Sequence, residues 1–319
     1  MKLGIIGCGT IAATYIPALS QLGDLFQITA LCDLDLQKAR SLGLPGVKLC
    51  TGVEELITGD TVQCVIISTP LHTHLAVARA CLAAGKHVLL EKPAVLDTAA
   101  LQSLFTLAEE AGVTFQVAFH ASFGLDIQWY LAHLAHSDSP YRLENIRSLT
   151  CRFFDPYMPQ GTVLEDRKGL GGSYIDSGVN ALSVCARLTT LTGLRVSTHT
   201  VKQTADGVVY ASETSFRSET AAITVSTGWD RGLNHKSTTL CFAGTDTALL
   251  LDHTAQAVYL APPEGPRQLL YREDASPRMV NQYVGVFRSF AEGIGSGPSP
   301  AHRSDASAIH RALLSVHPI

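Results

Sequence analysis

Four groups of residues in this chain could do chemistry. Near the start, Gly7-Cys8-Gly9-Thr10-Ile11-Ala12 fits Gly-x-Gly-x-x-Gly/Ala, directly after a short apolar run and at the start of a helical pattern. The first glycine permits a tight turn, the second lets backbone approach a pyrophosphate, and Ala12 lets helix pack on strand. Thr10 and Ile11 would open that helix, whose N-terminus favours an anion. Asp33 ends the next apolar run, Phe26–Cys32, where a ribose diol would be gripped. Its carboxylate should repel a 2′-phosphate and no arginine follows directly, which favours NAD, while Lys38 and Arg40 keep NADP open. The second group, Ser68-Thr69-Pro70-Leu71-His72-Thr73-His74, follows a further apolar run. In the third, Glu91-Lys92-Pro93 closes the run His87–Leu90, a costly use of charge if nothing binds there. The fourth lies in Gly169–Asn180, where Asp176 and Asn180 are four apart and share a face on a helix. The glycines ahead of them would bring backbone close to a ligand and start that helix. His72 and His74 have His-x-His spacing, but no third ligand of suitable type is nearby, so no metal is expected.

The elements that must hold these groups change character near residue 120. Before it, Lys2–Gly7, Phe26–Cys32, Cys64–Ser68, His87–Leu90 and Thr114–Phe119 read as buried strands separated by helical stretches. That alternation gives a doubly wound parallel sheet with helices on both faces. After it, runs such as Ala222-Ile223-Thr224-Val225-Ser226 alternate like antiparallel strands with one polar face. One buried helix, Tyr174–Leu188, interrupts them, and Asn281–Gly293 and Arg303–Leu314 are helical. The expected class is therefore α/β, with a dinucleotide-binding Rossmann domain over 1–120. An α+β domain on a large, mostly antiparallel open sheet would follow over 121–319, for substrate and oligomerisation.

Composition narrows the function. The 319 residues are 46% apolar and 16% charged, with a net charge of -4. No basic run appears, which argues against a nucleic-acid partner. No stretch approaches the roughly 18 consecutive apolar residues of a membrane span, and the start lacks a secretory pattern. The eight cysteines show no Cys-x-x-Cys pair. A cytoplasmic protein with reduced thiols is expected.

In Gly7-x-Gly9-x-Ile11-Ala12, Ser68-Thr69-Pro70-x-x-x-His74, Gly85-Lys86-His87-Val88, Glu91-Lys92-Pro93 and the later Gly-Gly-x-x-x-Asp, the chain resembles the Gfo/Idh/MocA family of NAD(P)-dependent oxidoreductases. The resemblance implies that Lys92 lies beside the nicotinamide and touches the reacting hydroxyl, and it allows a cis bond before Pro93. It also implies that Thr69, His74 and Glu91 line the cofactor channel, with Gly7, Gly9, Thr10, Ile11, Asp33, Ser68 and Pro70. Where the family usually presents His as general acid/base, this chain has Asn180, which does not titrate. Either Lys92 and Asp176 carry the proton, or catalysis is lost. The Asp-x-Gly-x-Asn arrangement with His120 resembles the aldose 1-dehydrogenase members, of the L-arabinose or D-galactose type, which oxidise a cyclic sugar at C1.

The expectation is an NAD(P)-dependent oxidoreductase acting on a sugar or polyol. Lys92 is its acid/base or polarising group, Asp176 the partner and base, and Asn180 a substrate-hydroxyl clamp. His120 flanks cofactor and substrate, and Trp229 could stack on a sugar face. Asp155, Tyr157 and the polar segment Glu165–Lys168 are further candidate substrate contacts, whereas Asp126 and Trp129 read as structural. The alternative is a non-enzymatic protein of the same fold that binds dinucleotide and sugar and regulates a partner. The open sheet invites burial against a copy of itself, as a homodimer or homotetramer.

Overall fold

The computed structural model describes residues 1–136, 138–218, 220–297 and 300–316. Contacts divide the chain into two compact units, Met1–Phe119 with Tyr283–Ser307, and His120–Gln282 with the segment from Ala308. Among the described residues no helix is long and apolar enough to cross a membrane.

In the first unit, β1 (Lys2–Ile6), α1 (Thr10–Leu19), β2 (Gln27–Cys32), α2 (Leu36–Ser41), β3 (Lys48–Cys50), α3 (Val53–Ile57) and β4 (Cys64–Ile67) alternate. They continue as α4 (His74–Ala83), β5 (His87–Glu91), α5 (Thr98–Glu110) and β6 (Phe115–Ala118). The six strands are parallel in the order β3-β2-β1-β4-β5-β6. Strands β4 and β6 are buried along their whole length, because helices cover both faces of such a sheet. The order reverses between β1 and β4, and crevices at such a point, beyond the carboxyl ends of the strands, take ligands. β3 is only three residues long, too short for a readable apolar run.

The second unit holds α6 (Leu125–His133), β7 (Ile146–Phe154), α7 (Val179–Leu188), β8 (Arg195–Gln203), β9 (Val209–Arg217), β10 (Ala222–Gly228) and β11 (His235–Phe242). β12 (Ala248–Asp252), β13 (Ala257–Ala261) and β14 (Gln268–Arg272) complete an eight-stranded sheet in the order β14-β13-β12-β11-β7-β10-β9-β8. Only β7 and β10 run parallel. The expected helix Tyr174–Leu188 is divided: Tyr174–Gly178 forms a π-helical turn, and the α-helix starts at Val179.

Two closing helices, α8 (Arg278–Ser296) and α9 (Pro300–Leu314), supply the residues that return to the first unit. A division at 120/121 overlooks this return. Its cause is aromatic packing: Tyr283 lies edge-on to Tyr15 with ring centroids 4.9 Å apart, and Phe290 stacks on Phe26 at 6.3 Å. His302 Nε2 accepts the N–H of Val117 at 3.0 Å, and Gln102 Nε2 donates to Ser307 Oγ at 2.6 Å.

Candidate active site

In the first unit the site is built on the turn after β1. Gly7 has φ +90°, and a Cβ there would lie 2.7 Å from the carbonyl carbon and oxygen of Ser68. No other residue fits without moving β4. At Gly9 an added Cβ would meet nothing within 4 Å, so the space over the turn is open. Gly9 is the N-cap of α1 and no side chain caps that helix, which leaves its first N–H groups, at Thr10 and Ile11, for a ligand.

Asp33 is tied to the same turn. Its Oδ2 accepts the N–H of Cys8 at 2.8 Å and its Oδ1 that of Asp35 at 2.9 Å. The carboxylate is therefore oriented by backbone before any ribose arrives. Burial, and then the charge of Asp33, push the Cys8 thiol up to about 12. Ser68 Oγ donates to Gly7 O at 2.8 Å, and Thr73 Oγ1 lies 2.7 Å from Thr69 Oγ1. Ser68, Thr69 and Pro70 thus form a braced segment at the end of β4.

His74 joins that segment to the next. Its Nε2 lies 2.9 Å from Thr69 O, and its Nδ1 lies 3.1 Å from Pro93 O and 3.0 Å from Ala94 O. The ring is buried, which pulls its pKa below the ordinary value, against the pull of those carbonyls. Its nitrogens face backbone, so His74 positions two loops rather than offering a ring nitrogen to a ligand. The bond between Lys92 and Pro93 is cis.

Glu91 was expected along the cofactor channel, but its carboxylate is turned into the protein. Tyr15 Oη donates to Oε1 at 2.8 Å, Tyr283 Oη donates to the same oxygen at 2.7 Å, and Oε2 accepts the N–H of Lys92 at 3.0 Å. Burial and the adjacent Glu91 raise both tyrosine hydroxyls well above their ordinary range, so they stay protonated as donors. Glu91 fixes the backbone that carries Lys92. Nothing in the spacing of the chain announces Tyr15 or Tyr283, except that a tyrosine on a buried helix face needs a hydrogen-bond partner.

In the second unit, Asp176 lies in the π-helical turn and Asn180 in the first turn of α7. Asn180 Nδ2 approaches the backbone carbonyl of Asp176 at 3.4 Å, and its Oδ1 is buried with no hydrogen-bond partner. The glycines ahead of them serve packing: a Cβ at Gly172, which has φ +89°, would lie 2.7 Å from Val209 O on β9. Asp155 and Lys236 form a buried ion pair at 2.6 Å, with Ser177 Oγ donating to Asp155 Oδ2 at 3.0 Å. Lys236 was not among the expected residues, yet it shares the inward-facing alternation with Thr238 and Leu240 on β11. Burial lowers its pKa against the opposing pull of Asp155. His120, buried in the turn after β6, has Nδ1 2.9 Å from Gln282 Oε1.

Trp229 is a correction. It is 0% exposed, with its ring against Tyr157 at 5.6 Å, and so offers no face to a sugar. Asp126 is buried on His253, with Oδ2 2.6 Å from Nδ1, and belongs to the core.

Residues 1–119 match the Gfo/Idh/MocA family, an oxidoreductase family with an NAD-binding Rossmann fold. The chain is 24% identical to a dTDP-3,4-didehydro-2,6-dideoxy-alpha-D-glucose 3-reductase of Streptomyces antibioticus, over 98% of this chain and 94% of that protein. Among solved structures it is similar to KijD10, a 3-ketoreductase from Actinomadura kijaniata in complex with NADP and TDP-benzene. The TM-score is 0.79 and the identity 21%, covering 99% of this chain and 96% of that one. GenD2 from gentamicin A biosynthesis, in complex with NAD, gives a TM-score of 0.79 at 20% identity, covering 98% of this chain and 92% of that one. None of these three is named as an aldose 1-dehydrogenase. Residues 1–119 are thus similar to the NAD-binding Rossmann fold of the Gfo/Idh/MocA oxidoreductase family.

Proposed function

We propose that the chain is an NAD(P)-dependent oxidoreductase that moves a hydride between nicotinamide and a hydroxyl-bearing carbon of a sugar or polyol. The observation that carries this reading is the pairing of two features on one sheet edge. Gly7 is pinned against Ser68 beneath open space at Gly9, and Lys92 at the end of β5 has its backbone held by Glu91. The fit to a dinucleotide rests on the uncapped first turn of α1 and on the oriented carboxylate of Asp33. Gly7, Gly9, Thr10 and Ile11 would hold the pyrophosphate, Asp33 the ribose diol, and Ser68, Thr69 and Pro70 the strand-end segment beside them. The cofactor, when bound, supplies the hydride chemistry.

The chain's own work is positioning and proton transfer. Lys92 Nζ gives or takes the hydroxyl proton, a role worth about 10² to 10⁴ in rate. Asp176, in the second unit, is this reading's second titratable group. Asn180 cannot titrate, so it holds a substrate hydroxyl, and its buried, unsatisfied Oδ1 is an acceptor for one. His120 flanks the substrate. Asp33 favours NAD over NADP. An aldose oxidised at C1 is one substrate of this class, and the sugar-nucleotide reductase similarity makes a ketone-bearing sugar derivative another. All eight cysteines are free and only Cys241 is exposed, which suits a reducing cytoplasm. The open sheet suits a homodimer or homotetramer.

The test is a panel of aldoses, cyclitols and sugar nucleotides with NAD, NADP or their reduced forms, followed by nicotinamide absorbance. Turnover of at least one member is expected. Cofactor binding without turnover of any would leave the regulatory alternative standing instead.

A further inference from the structure

In the second unit, every residue from 172 to 185 is buried except Asp176, which is half-buried. The π-helical turn Tyr174–Gly178 therefore presents one carboxylate from an otherwise closed segment. Such single π turns are rare and are frequently found at functional sites. Two anchors hold this one. Just ahead of it, Ser173 Oγ lies 3.0 Å from Thr227 Oγ1 on β10, which lies 2.8 Å from Ser212 Oγ on β9. Within it, Ser177 Oγ, on the residue next to Asp176, donates to Asp155 Oδ2 at 3.0 Å.

Asp155 is itself fixed. Its N–H donates to Gly228 O at 2.9 Å, and its Oδ1 accepts Lys236 Nζ at 2.6 Å. Lys236 Nζ also reaches Asn234 Oδ1 at 2.7 Å and Phe154 O at 3.2 Å. An ammonium carries three N–H donors, and these three acceptors use them all. Lys236 thus neutralises Asp155 rather than offering a proton to a ligand, and both Asp155 oxygens face protein donors. Folding alone does not require this arrangement, because well-packed apolar side chains can replace a buried ion pair without loss of stability. What apolar side chains could not supply is an ionised acceptor for the Ser177 hydroxyl, and such charge-assisted bonds are about twice as strong as neutral ones.

We propose that Asp155, neutralised by Lys236, is a positioning residue: through Ser177 it fixes the π-helical turn and so the orientation of the Asp176 carboxylate on the substrate. The anchoring stands by itself; its effect on turnover rests on the oxidoreductase reading above.

Two measurements on the full chain test it. In hydrogen–deuterium exchange, S177A should speed exchange of the amides of residues 174–180 about tenfold or more, and S177T, which keeps the hydroxyl, should stay near the wild type. Kinetics use NAD or NADP with glucose, galactose, myo-inositol and dTDP-glucose. On whichever probe is turned over fastest, S177A should lower kcat about tenfold, with the KM for the nicotinamide within about twofold, and S177T should restore most of the loss. D155N should follow S177A. In a D176N background S177A should change kcat by less than about twofold, because the group it positions has already been lost. Far-UV circular dichroism checks folding; should D155N unfold, the serine variants carry the test. Wild-type exchange in S177A overturns the anchor whatever turnover is found. Faster exchange with an unchanged kcat, or an equal kcat loss with and without D176N, overturns the positioning role. Faster exchange in S177A with no turnover of any probe by the wild type supports the anchor and counts against the oxidoreductase reading.

Discussion

Tyr283 Oη donates to Glu91 Oε1 over 2.7 Å, although the two residues are 192 apart in the chain. Tyr15 shares that oxygen at 2.8 Å, and the other carboxylate oxygen holds the N–H of Lys92. The helix that returns to the first unit therefore helps to fix the backbone of the proposed catalytic lysine. Tyr283→Phe removes one donor to a buried carboxylate. It should cost about 1–3 kcal/mol in urea denaturation and lower kcat up to about tenfold through a less fixed Lys92. A variant with wild-type stability and kcat would show that Tyr15 alone suffices.

Gly7→Ala tests the turn. A Cβ at φ +90° would overlap Ser68 backbone at 2.7 Å. The left-handed backbone costs about 1–2 kcal/mol, and the overlap about 1–3 more. Thermal denaturation should show that loss, and fluorescence titration should show cofactor affinity reduced at least about tenfold. Unchanged affinity would remove the turn from the cofactor site.

Asp33→Ser tests which dinucleotide is preferred. The carboxylate stands ready to accept a ribose diol and to repel a 2′-phosphate. The ratio of kcat/KM for NAD over NADP should fall by about tenfold or more in the variant. A ratio that does not move would mean that Asp33 serves only to tie the loop through Cys8 and Asp35.

His74 gives a pH dependence of known sign. Burial holds its folded pKa below the ordinary 6.5, so the unfolded chain binds the proton more readily. Its contribution to stability is complete above 6.5 and is lost as the pH falls towards the folded value. The slope is at most about 1.4 kcal/mol per pH unit. His87, also lowered by burial, adds a slope of the same sign. Urea midpoints measured from about pH 5 to 8 should fall on acidification, and less steeply in His74→Gln. Equal slopes in the two proteins would contradict the assignment.

Legibility follows the distance over which each constraint acts. The turn at Gly7–Ala12 and the carboxylate of Asp33 are readable because each sits beside the strand end that defines it. β3 escapes notice because three residues carry no period. Glu91 is visible as a strand-end charge but not as a buried one, since its partners, Tyr15 and Tyr283, lie 76 and 192 residues away. Trp229 follows a strand, where a sugar platform and a core anchor look alike; only its contact with Tyr157 decides. The spacing of Asp176 and Asn180 implies one α-helical face, but the π-helical turn before Val179 changes their relation. The glycine at 172 reads as a ligand cradle, whereas its neighbour is the backbone of Val209.

Lys92→Ala, assayed beside cofactor titration, is the most direct measurement. The account predicts that kcat falls by about 10² to 10⁴ while the Kd for NAD or NADP stays within about threefold, because the dinucleotide is held by the turn and Asp33. A variant that turns over substrate at the wild-type rate would contradict it.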